Sequence, residues 1–171
     1  VGCVGRFVKQ KNYPFAVAVF RQILNVAPDT RLVILGDGAD RTDLERSIAE
    51  AGVANQVILP GVRTDVDRFY SMFDVFLMPS LYEGLPVSAV EAQAAGLPCV
   101  YSTGVPRETD ITGTGRFLEL SDGSERWAQA VVEATCVGRL NDNPRLLEER
   151  GYSAEANAEL LMRHYERLMG R

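Results

Sequence analysis

Short apolar runs alternate along the chain with longer segments of helical period. Residues 1–5 read as a strand. Residues 14–27 read as a helix, with Phe15, Val19 and Ile23 on one face and Ala16, Phe20 and Leu24 beside them. Residues 31–36 form a strand and 40–51 a helix closed by Gly52. A strand at 56–60, a short helix at 65–72 and a strand at 75–79 follow. Residues 86–95 read as a helix ended by Gly96, with Pro86 suited to the first helical position. Residues 98–102 form a further strand and 115–118 a weaker one. Helices at 124–138, 144–150 and 154–169 close the chain.

Continuous apolar strands between helices predict an α/β fold, a Rossmann-like parallel sheet flanked by helices on both faces. Right-handed crossovers then bring every strand's C-terminal end to one edge, where ligands of such folds bind. The loops at that edge are 6–13, 36–39, 61–64, 80–85 and 103–106.

Composition narrows the picture. The 171 residues are 46% hydrophobic and 24% charged, enough for one globular domain with a substantial core. A net charge of −5 speaks against nucleic acid as a partner. No apolar run approaches bilayer length, and the first residues do not follow signal-peptide design. Cys3, Cys99 and Cys136 match neither a disulfide framework nor a CxxC metal site. They read as small buried residues in a reducing, cytoplasmic compartment. The chain begins inside a strand, so it is expected to be one domain of a longer protein.

The candidate chemistry gathers at the predicted ligand edge. Glu83 and Glu91 bracket Gly84-Leu85-Pro86-Val87-Ser88-Ala89-Val90, a loop running into a helix. At a rise of roughly 1.5 Å per residue the two acids would stand about 10 Å apart. The helix start offers unpaired amides and partial positive charge to an anion. Arg6 and Lys11, after the first strand, can clamp a diphosphate or can be solvated surface charges. Gly36-Asp37-Gly38 fails the dinucleotide fingerprint, because Arg41 stands where its third glycine belongs. It predicts a tight turn that lets backbone approach a ligand. Ser80 can donate to the ligand or cap its own turn. Asp65-Val66-Asp67 has the form of a metal-holding acid pair but falls at a helix start, where capping is expected instead of a metal. His164 lies in the last helix and reads as a surface or packing residue. The edge as a whole suits a nucleotide sugar, a diphosphate between two hydroxyl-rich groups.

These residues resemble the C-terminal, donor-binding domain of family 4 (group 1) retaining glycosyltransferases of GT-B fold. The pieces are Val4-Gly5-Arg6 with Lys11-Asn12, Leu32 through Gly38, Val57 through Gly61, Asp74 through Ser80, and Glu83-Gly84-Leu85-Pro86 through Glu91 to Pro98. The stretch from Val90 to Cys99 is similar to bacterial transferases that build exopolysaccharide or capsule. The resemblance implies that Arg6 and Lys11 hold the diphosphate and neutralise the leaving group. It implies that Glu83 contacts donor-sugar hydroxyls and that Glu91 accepts from the ribose. Backbone amides of Gly84, Leu85 and Val87 would meet sugar and phosphate, and the main chain of Val62 the base. The implied substrate is a UDP- or GDP-sugar, with no metal or other cofactor. The implied partner is an N-terminal acceptor domain that this chain does not contain, without which the domain should be inactive. Peripheral association of the full-length enzyme with the inner face of the membrane is expected as well. Two other readings use the same fold: a sugar-nucleotide 2-epimerase and a non-catalytic nucleotide-binding module.

Overall fold

Strand residues that alternate in direction while all being apolar must bury both faces of a sheet. Leu32 and Ile34 pack into one core, and Val33 and Leu35 into the other. Leu77 is likewise divided from its neighbours Phe76 and Met78. The computed structural model describes residues 1–169, and residues 144 and 154–156 by their backbone alone. Its six strands are β1 (Gly2–Val4), β2 (Leu32–Leu35), β3 (Val57–Ile58), β4 (Phe76–Met78), β5 (Cys99–Ser102) and β6 (Arg116–Leu118). They form one sheet in the order β3-β2-β1-β4-β5-β6, parallel throughout. The fold class is therefore the α/β Rossmann-like sheet expected from the apolar pattern.

The helices are α1 (Tyr13–Ile23), α2 (Arg41–Glu50), α3 (Val66–Met72), α4 (Val87–Ala94), α5 (Gly123–Val137), α6 (Asn143–Glu149) and α7 (Ala154–Leu168). Side chains of α1, α2 and α5 fill the core on one face, around Phe20, Ile23 and Trp127. Those of α3 and α4 fill the other, around Tyr70, Ala89 and Ala92. Among the described residues no helix is long and apolar enough to cross a membrane. The apolar side chains of α7, Leu160, Leu161, Met162, Tyr165 and Leu168, are all exposed, as is His164.

Three details depart from expectation. Helix α4 begins at Val87, and Pro86 is its N-cap with extended backbone, accepting from the amides of Ala89 and Val90. Residues 83–86 are therefore not helical, and helical rise does not measure the Glu83–Glu91 separation. Asp65 does stand at the start of α3, but its carboxylate binds Arg63 through two hydrogen bonds, at 2.8 and 2.9 Å, instead of capping the helix. Cys3 and Cys99 are buried and their thiols are pushed up to about 12 by burial, whereas Cys136 is exposed near the end of α5.

One cation outside the predicted set braces the two helices that carry Tyr70 and Glu91. Arg139 follows α5 and sits at the C-terminal ends of α3 and α4. Its Nη2 lies 2.7 Å from the carbonyl oxygens of Tyr70 and Ser71 and 2.9 Å from that of Phe73. Its Nη1 donates to the Ala95 carbonyl. A guanidinium placed there meets carbonyls that have no partner within their helices and the negative end of both dipoles. Arg139→Ala is expected to destabilise the domain by about 2 kcal/mol, a melting-point loss on the order of 5 °C in a calorimetric scan.

Candidate functional site

Strand order reverses between β1 and β4, so the loops leaving these neighbours part company and open a crevice at the C-terminal edge of the sheet. Most of the predicted site residues lie on the loops at that edge; Val87 and Glu91 lie in α4.

The loop after β1 is held on both sides. Gly5 N–H donates to Leu35 O, Phe7 N–H to Asp37 O, and Asp40 N–H to Phe7 O. A single 3-10 turn, Lys9–Lys11, ends at Asn12, whose backbone is left-handed at φ 54°. Asn tolerates that conformation better than most residues. Its Nδ2 donates to Pro79 O at 3.1 Å, tying the end of the loop to the end of β4. The glycines at 36 and 38 serve this packing. A Cβ on Gly36 would lie 2.0 Å from Gly5 O, and one on Gly38 2.4 Å from Phe7 O. The backbone that these glycines admit is the chain's own, at Gly5 and Phe7. Gly36 still lines the cleft; Gly38 is exposed beside Phe7.

Arg6 is exposed, and its side chain has no hydrogen-bond or ion-pair partner among the described residues. It lines a cleft of about 230 Å³ with Gly5, Gly36, Val62 and Val66. Val62 is 77% exposed there. Asp37 lines the same cleft; its carboxylate accepts from the Gly38 amide at 2.8 Å and stands 3.5 Å from Arg41. Arg6 thus offers a bare guanidinium fork to an incoming anion.

Lys11 is spoken for. Its Nζ lies 2.7 Å from Glu83 Oε1, and the Glu83 side chain is only 6% exposed. Gln10 Nε2 donates to Glu83 Oε2 at 3.1 Å and to Tyr82 O at 2.9 Å. The Glu83 amide donates to Gly104 O at 2.9 Å. Glu83 is therefore a carboxylate fixed at both oxygens and at its backbone. Beyond it, the N–H groups of Gly84, Leu85, Val87 and Ser88 have no acceptor among the described residues. They form a run of free donors interrupted only by Pro86.

Glu91 sits one turn into α4 and is exposed, yet it has a fixed partner. The Tyr70 hydroxyl on α3 donates to Glu91 Oε2 at 2.8 Å and lies 3.0 Å from Ser88 O. Burial, and then the negative charge of Glu91, push the Tyr70 phenol far above its ordinary range, so it remains a donor. Glu91 and Tyr70 line a second cleft of about 360 Å³. Val66 belongs to both clefts and joins the Arg6 side to the Glu91 side.

Ser80 is fully buried, and its Oγ has no partner among the described residues, while its carbonyl accepts from Ser102 Oγ. It neither caps its turn nor reaches the cleft surface. The buried Tyr13 hydroxyl, under Gly5, is also unpartnered. Among the described residues no three His, Cys, Asp or Glu gather as metal ligands would. Gln10, Tyr70 and Asn12 were not legible in the sequence as site residues. Their partners lie 73, 21 and 67 positions away, and no local motif marks such pairs.

A family model described as glycosyl transferases group 1 matches residues 1–143. The putative glycosyltransferase EpsF of Bacillus subtilis (strain 168) is 33% identical over 96% of this chain and 44% of its own length. The 2-deoxystreptamine glucosyltransferase of Streptomyces kanamyceticus is 31% identical over all of this chain and 46% of its own. The chain thus spans less than half the length of these curated relatives. In fold, Anabaena Alr3699/HepE, solved in complex with UDP, superposes with a TM-score of 0.76 at 17% identity. That superposition covers 96% of this chain and 48% of HepE. With the family model matching from its first strand into α6, the chain belongs to the group 1 glycosyltransferases.

Proposed function

We propose that this domain binds the donor of a sugar transfer, a nucleoside diphosphate sugar such as a UDP- or GDP-sugar. One observation carries the reading. A bare guanidinium at Arg6, on the loop after β1, and a run of unpaired amides from Gly84 to Ser88, after β4, lie at the same C-terminal edge of the sheet as two carboxylates held in place by the chain's own donors. Cationic and amide donors suit the diphosphate. Fixed carboxylates suit hydroxyls: Glu83 for the sugar, Glu91 for the ribose. The main chain around Val62 takes the base. UDP in the HepE complex is consistent with this ligand class.

The reaction proposed is the one that the resemblance to retaining group 1 glycosyltransferases implies. The bond between the anomeric carbon and the diphosphate oxygen breaks, and its electron pair leaves with the diphosphate. An acceptor hydroxyl attacks the same face, and its proton passes to the departing phosphate oxygen. Configuration is retained. The charge that grows on the leaving group is met by Arg6, by Lys11 and by the Gly84–Ser88 amides, without need of a metal. A second domain, supplied by the rest of the enzyme, brings the acceptor, and bacterial surface polysaccharide is the expected product class. The setting is the cytoplasm, at the inner face of the membrane.

The test is product analysis with the full-length enzyme. Proton NMR of the product formed from an α-linked donor is expected to show an α-linkage, at a rate unchanged by EDTA. A β-linked product, or turnover abolished by EDTA and restored by a divalent cation, overturns the mechanism.

A further inference from the structure

Gln10 stands beside Glu83 at the edge of the crevice. Gln10 precedes Lys11 and makes three contacts with the loop after β4. Its carbonyl accepts from the Leu81 amide at 2.8 Å. Its Nε2 donates both to Tyr82 O at 2.9 Å and to Glu83 Oε2 at 3.1 Å. One amide group thus spends its two hydrogens on two successive residues of the facing loop. Lys11 meanwhile takes the other oxygen of Glu83 at 2.7 Å.

We propose that Gln10 is a positioning residue for Glu83 and thereby sets how strongly the site distinguishes a sugar-bearing donor from the bare nucleotide. The inference rests on the assignment of Glu83 to the donor sugar. A carboxylate has about four acceptor directions, two on each oxygen. Lys11 and Gln10 occupy one on each. One direction on each oxygen remains for ligand hydroxyls. A Lys pair alone would leave the carboxylate free to turn about its last bond, because an ammonium is a point charge without directional preference. The second donor, on the second oxygen, removes that freedom. Gln does so without adding charge, so the negative charge of Glu83 is balanced by Lys11 alone. The Gln10 amide is itself oriented by Tyr82 O, which prevents it from flipping its carbonyl toward Glu83.

Gln10→Glu tests this with nearly the same shape. It turns the donor into an acceptor and places a second carboxylate against the first, while the backbone bond to Leu81 survives. Titration calorimetry with UDP and UDP-glucose, and in parallel with GDP and GDP-mannose, reads the consequence on the domain. For the pair that binds, Gln10→Glu is expected to weaken the sugar nucleotide at least about fivefold and the bare nucleotide by less than about twofold. Gln10→Ala should show the same selectivity loss in smaller measure. Equal losses for both ligands would make Gln10 a loop brace only, and unchanged affinities for both would remove it from the site; either result overturns the proposal.

A second measurement needs no ligand. The side-chain amide proton resonances of Gln10 in a ¹H–¹⁵N spectrum are expected to move when Glu83 is changed to alanine. If they do not, the contact is absent in solution and the proposal falls on that ground alone. Should the unaltered chain bind neither sugar nucleotide better than its nucleotide, while the Gln10 resonances do respond to Glu83→Ala, the failure lies with the assignment of Glu83 to the sugar, and the selectivity role falls with it.

Discussion

Arg6→Ala is expected to lower turnover of the full-length enzyme about 100-fold, a barrier increase of about 2.7 kcal/mol. The fold should be untouched. Arg6 is exposed and has no side-chain partner among the described residues, so its removal breaks nothing within the domain. Surface substitutions of that kind change stability by no more than about 0.5 kcal/mol. The loss must then come from charge left unmatched on the departing diphosphate. Arg6→Lys should recover only part of it, because an ammonium cannot reproduce a planar two-point contact. Lys11→Ala also lowers turnover at least about tenfold but reads less cleanly. It strips Glu83 of its 2.7 Å partner as well, so it perturbs sugar and phosphate contacts together. Steady-state kinetics paired with a thermal melt separate the cases. Unchanged turnover in Arg6→Ala would remove the residue from the catalytic assignment.

Gly36→Ala is expected to be the most damaging small substitution in the domain, at about 4 kcal/mol or more. Its Cβ would lie 2.0 Å from the carbonyl oxygen of Gly5, an atom of the main chain that cannot rotate aside. Its φ of 135° adds strain for any side chain. Relief would require the loops after β1 and β2 to separate, breaking the bonds from Gly5 N–H to Leu35 O and from Phe7 N–H to Asp37 O. The total stability of a domain this size is about 5–15 kcal/mol, so much of it would be spent on one methyl group. Gly84→Ala is the control for stability: a Cβ there meets nothing within 4 Å, and its melting point should move by about 1 °C at most. Chemical denaturation of both variants decides the matter. A Gly36→Ala domain as stable as the original would mean that the two loops are not in the tight contact described.

These two positions also show what could be read from the chain before its structure. That a glycine stands at 36, between a strand and a helix, was legible, and so was a tight turn there. Which backbone passes beside it was not, because Gly5 and Gly36 are brought together only by the pairing of β1 with β2. The parallel sheet was legible because strands buried on both faces carry unbroken apolar runs, as Leu32–Leu35 does. The single-turn 3-10 helices at Lys9–Lys11, Arg107–Thr109 and Leu120–Asp122 were not, since three residues are too few to show a period. Arg6, Lys11, Glu83 and Glu91 were recognisable as a set by order and spacing. Their states were hidden: Arg6 bare, Lys11 locked to Glu83, Glu91 held by Tyr70. Asp65 shows the opposite failure. A helix-start acid predicts a cap, yet an arginine two residues earlier offers a charged two-point contact that a backbone amide cannot match.

The same distribution of partners explains why donor binding should divide among the loops. Arg6 and the Gly84–Ser88 amides are available without rearrangement. Glu83 and Glu91 are preorganised acceptors, so little side-chain freedom is lost when a ligand arrives. Most of the discrimination for a diphosphate should therefore reside in Arg6 and the free amides, and it should be present in the domain by itself.

Titration calorimetry of the domain with UDP, GDP, ADP and inorganic phosphate tests that directly. At least one nucleoside diphosphate is expected to bind about tenfold or more tightly than inorganic phosphate, and Arg6→Ala should remove most of that difference. No preference for any diphosphate over phosphate, or a preference that survives the loss of Arg6, would contradict a donor site at this edge of the sheet.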